Sequence, residues 1–189
     1  MDSSYNLLVN ATHTLKRHDV PCDLTECNFA FYANPGDPKR LLRKEAAFMG
    51  GLLFEAAKAE GLILYGASGY RSFERQEEIF AESLKNNGIS HTLRYIARPG
   101  ASEHQTGLAL DVTCETLDFE LEEAFAHTLE GIWLSRSAYL YGFILRYPKG
   151  KEKITGYAYE PWHIRYVTKP LAYYLRKTKL TLEEYHALP

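Results

Sequence analysis

The apolar positions change period several times along the chain. Leu42, Ala46, Met49, Leu53 and Ala57 recur every three to four residues, the spacing of one helix face. This stripe predicts a helix from about Pro38 to Glu60. It follows the turn-forming run Asn34-Pro35-Gly36-Asp37-Pro38 and precedes Gly61, which suits a helix end. Gly50-Gly51 weakens the middle of that helix and points to close packing there. Leu62-Ile63-Leu64-Tyr65 is short and unbroken, as in a buried strand. Ser72 stands where it can cap a helix from Phe73 to about Asn87, with Glu74 in the first turn and Gly88 after the end. Residues 89–101 carry loop signals, with a turn at Arg98-Pro99-Gly100.

Farther on, Leu108, Leu110 and Val112 alternate with Ala109 and Asp111. That is a strand pattern, with its apolar face on the core and Asp111 toward a cleft. Residues 119–141 read as helical, in one piece or two, with Gly142 as the stop. Phe143-Ile144-Leu145-Arg146-Tyr147 reads as a strand ended by Pro148, and Tyr157-Ala158-Tyr159 and Ile164-Arg165-Tyr166-Val167 as two more. Tyr5-Asn6-Leu7-Leu8-Val9-Asn10 has the same character. The tail closes with a small helix, where Thr181 and Glu184 form a capping box beside the staple pair Leu180 and Tyr185. Strands and helices do not alternate regularly. The expected class is α+β, with a central, mainly antiparallel sheet flanked by helices and a site in a cleft. The length suits one domain over residues 1–189.

Composition narrows the function classes. Hydrophobic residues make up 46% and charged residues 24%, as in an ordinary globular protein. The formal net charge is -2, so nucleic acid is not an expected partner. Lys16-Arg17 and Lys149-Gly150-Lys151 are short and read as solvated surface. No run is long and apolar enough for a membrane span. The start, Met1-Asp2-Ser3-Ser4-Tyr5, carries no signal pattern; the expected location is the cytoplasm, or the cell envelope if an export segment has been removed. Cys22, Cys27 and Cys114 are odd in number, which argues against a disulfide framework. For Cys22 and Cys27 a small-loop bridge and two free thiols both remain open.

The chemistry concentrates in two short segments. Ser102-Glu103-His104-Gln105-Thr106-Gly107-Leu108-Ala109-Leu110-Asp111 holds a histidine and an aspartate, and Glu160-Pro161-Trp162-His163 holds a glutamate and a histidine. Imidazole and carboxylate suit zinc. His104, Asp111 and His163 make three ligands and leave one position open, as in a catalytic site. Glu160 remains to accept and deliver a proton. Arg71, in a strand-to-helix turn, can reach the cleft with a permanent charge for a developing oxyanion. A lone histidine is more often a satisfied polar group than a ligand; the two segments carry weight together. His13, His18, His91, His127 and His186 lack such company and read as surface or structural.

These segments together resemble the zinc D-alanyl-D-alanine carboxypeptidase family. That branch includes the D,D-carboxypeptidases and D,D-dipeptidases of vancomycin resistance and the L,D-carboxypeptidases of peptidoglycan trimming. The likeness extends to Ser68-Gly69-Tyr70-Arg71-Ser72, Ser83-Leu84-Lys85-Asn86-Asn87-Gly88, Pro99-Gly100-Ala101 and Tyr141-Gly142-Phe143-Ile144-Leu145-Arg146-Tyr147-Pro148. Strong motifs cover residues 62–168, and Leu7-Leu8-Val9-Asn10 is similar too. The resemblance implies one zinc ion on His104, Asp111 and His163, with Glu160 as general base and acid. It implies that Arg71 polarises the scissile carbonyl, and that Gln76 and Ser102 contact the substrate backbone or its terminal carboxylate. Trp162 is either the wall of the metal site or plain core. The implied substrate is a peptidoglycan stem peptide or precursor ending in D-alanine. D,D-carboxypeptidase activity is favoured; L,D-carboxypeptidase and D-alanyl-D-alanine dipeptidase activities are the alternatives. A non-catalytic, zinc-containing wall-peptide binding module is more remote.

Overall fold

The computed structural model describes residues 5–189. Four of its strands form the platform for the site. β3 (Tyr65–Ser68), β4 (Ala109–Thr113), β6 (Glu160–Tyr166) and β5 (Phe143–Tyr147) lie side by side in that order, each antiparallel to its neighbours. The expected α+β class with an antiparallel central sheet is therefore what the chain adopts. A second, two-stranded ribbon pairs β1 (Leu24–Glu26) with β2 (Leu41–Arg43).

Helix α1 (Lys44–Ala59) carries the apolar stripe, and Ala46, Met49, Leu53 and Ala57 are all buried. Its start differs from the expectation. Leu42 is buried too, but within β2, because the ladder to β1 claims residues 41–43 in extended form. Gly50 lies against Phe29, where an added Cβ would come within 3.0 Å of the ring, so the close packing expected there is present. The strand expected at Leu62–Tyr65 begins only at Tyr65.

Ser72 caps α2 (Phe73–Tyr95) by accepting a hydrogen bond from the Arg75 amide. Gly88 breaks the helix as expected, at φ 75° and ψ 171°. Residues 89–95 are not loop, however. They form a further helical stretch, held back against the first by the buried Ser83–Thr92 hydroxyl pair at 3.0 Å.

Residues 119–141 resolve into a 3-10 turn at Glu123–His127, helix α3 (Leu129–Ser137) and a second 3-10 turn at Ala138–Tyr141. A short α4 (Glu152–Thr155) follows β5. Residues 157–159 are not a strand, and β6 is a single strand starting at Glu160. Residues 6–10 are irregular rather than extended in a sheet. Their place is held by Arg165, whose guanidinium donates to the carbonyls of Tyr5 and Leu7.

The main core gathers Leu53, Leu110, Phe125, Leu134, Phe143 and Ile164 between the sheet and its helices. A smaller cluster lies under α5 (Lys169–Thr178) and α6 (Leu182–His186), with Val167, Leu171, Leu175 and Leu182 buried. The capping box of Thr181 and Glu184 is present. All three cysteines are free thiols, so the open question of a Cys22–Cys27 bridge resolves against it; Cys27 is buried and Cys22 exposed.

Candidate zinc centre and cleft

Strand register builds the centre. Asp111 on β4 is the direct partner of His163 on β6, so both side chains leave the same face of the sheet. Asp111 Oδ1 lies 2.8 Å from His163 Nδ1. Asp111 Oδ2 lies 3.2 Å from His104 Nε2. The metal-binding atoms that His104, Asp111 and His163 offer lie within 4.8 Å of one another, and all three residues are buried.

His104 comes from a 3-10 turn, Glu103–Thr106, that ends on Gly107 at φ 65°. A side chain there would strain the backbone and bring its Cβ to 2.7 Å from Leu24. The His104 ring is oriented through Nδ1, which sits 2.6 Å from the Gly69 carbonyl, so Nε2 is the nitrogen turned to Asp111. Gly69 itself packs against backbone: a Cβ would lie 2.5 Å from the Leu41 carbonyl oxygen. The Arg71 amide then donates to the His104 carbonyl at 3.2 Å, tying the two loops together.

Glu160 reaches the centre through an irregularity. Tyr147 pairs with Glu160 and Leu145 with Ile164, so residues 161–163 of β6 stand opposite Arg146 alone. This bulge re-aims the strand. Glu160 and His163, three apart, then face one site, with Glu160 Oε2 3.9 Å from His163 Nδ1.

Arg71, Gln76, Ser102, Glu160, Trp162 and the three candidate ligands line one cleft of ≈ 460 Å³. Arg71 donates to Gln76 Oε1 at 3.0 Å and to Ser68 Oγ at 3.2 Å. Gln76 in turn donates to the Ala97 carbonyl at 2.7 Å. Its amide thus holds Arg71 in place as well as lining the cleft. Trp162 serves both readings, since it lines the cleft and packs on the core. His13, His18, His91, His127 and His186 belong neither to this cluster nor to the cleft lining.

Burial pushes the Glu160 carboxyl up to about 7, with His163 opposing and Asp111 adding to the rise. A group in that range can both take and give a proton near neutrality. Burial lowers His104, which favours the neutral imidazole a metal needs. Burial works against ionised Asp111, but His104 and His163 outweigh it and hold the carboxyl below its ordinary range. Burial would lower His163 too, yet Asp111 and Glu103 raise it to about 9, so a metal must displace a proton there.

Sequence reasoning passed over the charges behind the centre. Glu103 is 1% exposed and accepts from Arg146 Nε at 2.7 Å and Arg165 Nη1 at 2.8 Å, both on Oε1. Arg146 continues to Glu183 on α6. Burial disfavours the Glu103 anion, but the two guanidiniums overcome this and keep it ionised. Tyr147 covers the far side of the His163 ring, with centroids 4.9 Å apart. One signal was present: Arg146 and Arg165 each sit inside an otherwise apolar strand pattern, where a charge requires a buried partner.

The donor set fits zinc: two imidazoles and a carboxylate, with the other nitrogen of His104 committed to a carbonyl. Residues 39–169 match the VanY family, D-alanyl-D-alanine carboxypeptidase. The chain belongs to this family. It is 47% identical over 178 residues to the putative carboxypeptidase YodJ of Bacillus subtilis (strain 168), a match covering 94% of this chain and 65% of that protein. This chain therefore spans just under two thirds of that relative's length. Among solved structures it is similar to the LdcB LD-carboxypeptidase, at 47% identity and TM-score 0.90, over 95% of this chain and 84% of that one. It is also similar to a point mutant of the vancomycin-resistance D,D-pentapeptidase VanY in complex with Zn(II). That likeness has 32% identity and TM-score 0.78, over 97% of this chain and 99% of the other.

Proposed function

We propose that this family member is a zinc carboxypeptidase that releases C-terminal D-alanine from peptidoglycan stem peptides or their precursors. One observation carries the reading: a buried His104–Asp111–His163 cluster shares a cleft with the Glu160 carboxyl and the Arg71 guanidinium. The Zn(II) held by the similar VanY structure supports zinc as the metal. We read residues 1–189 as one peptidase domain, because Arg165 and Arg146 tie the chain's beginning and end to the same buried glutamate.

Bound zinc supplies Lewis-acid polarisation of a water and of the scissile carbonyl. Glu160 takes a proton from the attacking water and passes it to the leaving nitrogen of D-alanine. In the metal-free protein burial already raises its carboxyl to about 7. Arg71 stabilises charge developing on the carbonyl oxygen, with its fork oriented by Gln76 and Ser68. Ser102 and Gln76 bind the substrate backbone or its terminal carboxylate.

For the residue before the cut, L,D specificity is put first, because the similarity to LdcB, an LD-carboxypeptidase, is high in both identity and TM-score. D,D specificity, the expectation stated from the sequence, is the second reading, supported by the likeness to VanY, a D,D-pentapeptidase. The test incubates zinc-loaded protein separately with stem tetrapeptide, stem pentapeptide and D-alanyl-D-alanine, and identifies products by mass. Tripeptide from tetrapeptide supports L,D cleavage. Tetrapeptide from pentapeptide supports D,D cleavage. Zinc retained with none of the three cleaved overturns the peptidase reading and favours a wall-peptide binding module.

A further inference from the structure

Glu103 and His163 each leave one buried polar atom without a hydrogen-bond partner among the described residues, Glu103 Oε2 and His163 Nε2. The two atoms face each other at 3.6 Å. That is roughly 0.6 Å beyond an ordinary hydrogen bond. Orphaned buried polar atoms are rare, and two that face each other call for an explanation.

The two oxygens of Glu103 differ in their commitments. Oε1 takes both guanidiniums, from Arg146 at 2.7 Å and Arg165 at 2.8 Å. A carboxylate kept only to neutralise these arginines has no reason to hold Oε2 aside from them and against an imidazole. His163 differs in the same way. Its Nδ1 points at Asp111, 2.8 Å away, and into the candidate metal cluster. A neutral imidazole carries one proton, and the nitrogen that binds metal must be the bare one. With Nδ1 on the metal side, the proton belongs on Nε2, where Glu103 Oε2 is positioned to accept it.

We propose that Glu103 is a positioning residue for the metal centre, holding His163 in the tautomer that presents a bare Nδ1 to zinc. This rests on the zinc reading above. The arginines fix Glu103, and Glu103 fixes the ligand ring. Strand period supports the arrangement. Arg165 lies two residues after His163 on β6 and so shares its face, and Glu103 immediately precedes His104 in the loop that supplies the other imidazole.

The experiment is Glu103→Gln, with zinc affinity measured by chelator competition. The amide has one oxygen, which the guanidiniums will claim, so its NH2 turns to His163. Two donors then meet, and the required tautomer is disfavoured. Zinc Kd should rise about 10–100-fold, the usual consequence of losing such a partner. If Glu103 is merely structural, the metal-free protein melts at lower temperature while the zinc Kd of the folded protein stays unchanged; that result overturns the proposal. A second measurement needs no variant. Nitrogen-15 spectra of the His163 ring in zinc-loaded wild-type protein should show the proton on Nε2. A proton on Nδ1 overturns the proposal even if Glu103→Gln fails to fold. His163→Ala separates the two readings. If it binds zinc as tightly as wild type, the zinc assignment itself is wrong and this proposal falls with it. If it loses zinc while Glu103→Gln does not, only the Glu103 role falls.

Discussion

Asp111 and His163 are direct partners across the β4–β6 ladder, and their side chains meet at 2.8 Å. Two of the three candidate ligands are therefore fixed by one strand pairing. A one-residue slip of β6 against β4 would put the two on opposite faces, so the sheet that forms the core also specifies the centre.

Asp111→Asn keeps the shape of the ligand and removes its charge. Zinc affinity should fall by more than the ~10–100-fold typical of changes behind a metal site. Metal content after dialysis against a weak chelator measures this. Stoichiometric zinc in the variant would remove Asp111 from the ligand set.

The Arg71 side chain is held by Gln76 and Ser68 with its fork in the cleft. Arg71→Lys keeps the charge but loses the fork. Turnover should fall roughly 10²–10³-fold, with zinc content unchanged. A variant with wild-type kcat would show that the guanidinium does not face the reacting carbonyl.

Burial raises Glu160 to about 7 from an ordinary value of 4.5. In the metal-free protein, the folded chain therefore holds this proton more tightly than the unfolded chain does. The stability gained from protonated Glu160 is full below the ordinary value and is lost as pH rises through about 7. Glu160→Gln never ionises and escapes that loss. Its stability relative to wild type should grow by on the order of 3 kcal/mol between about pH 4 and pH 8. Urea unfolding of both proteins without metal measures the gap. A difference independent of pH would contradict the buried, raised carboxyl.

Arg165 is 0% exposed and shares Glu103 with Arg146. Arg165→Met leaves Glu103 with one guanidinium and frees the Tyr5 and Leu7 carbonyls. Breaking a buried pair in this way costs about 3–5 kcal/mol. A shift of the urea midpoint worth less than about 1 kcal/mol would show that the cluster relaxes around the loss.

Burial pushes the Cys27 thiol up to about 12, and Cys114 is raised for the same reason. Thiolate is the reactive form, so neither should alkylate in the folded protein near pH 7.5. Mass spectrometry should find one modified cysteine per folded chain, Cys22, and three after denaturation. Modification of Cys27 in the folded protein would contradict its packing.

The residues of the cleft were legible because each candidate ligand lies in a short local motif with a chemically suitable neighbour. His104, Asp111, Glu160 and His163 needed no knowledge of the sheet to be singled out, though only the folded sheet and the turn at Glu103–Thr106 bring them together. Elements set by long-range pairing were harder to read. Leu41–Arg43 extends a helical stripe in sequence, yet the ladder with Leu24–Glu26 makes it a strand. The helical stretch after Gly88 depends on Thr92 meeting Ser83, which a turn-forming glycine conceals. Helix α5 is not among the elements expected from the sequence, although Leu171, Ala172 and Leu175 form a buried stripe along it. Glu103 was hidden as well. Its partners Arg146 and Arg165 lie 43 and 62 residues farther along the chain, on the adjacent strands β5 and β6, and their shared burial shows what the glutamate does.

The central claim is that Glu160 moves the proton while His104, Asp111 and His163 hold zinc. Glu160→Gln separates these roles in one preparation, with zinc content and release of D-alanine from stem peptides measured side by side. The account predicts one zinc per chain, as in wild type, and turnover lowered by about 10²-fold or more. Full activity in this variant would contradict it.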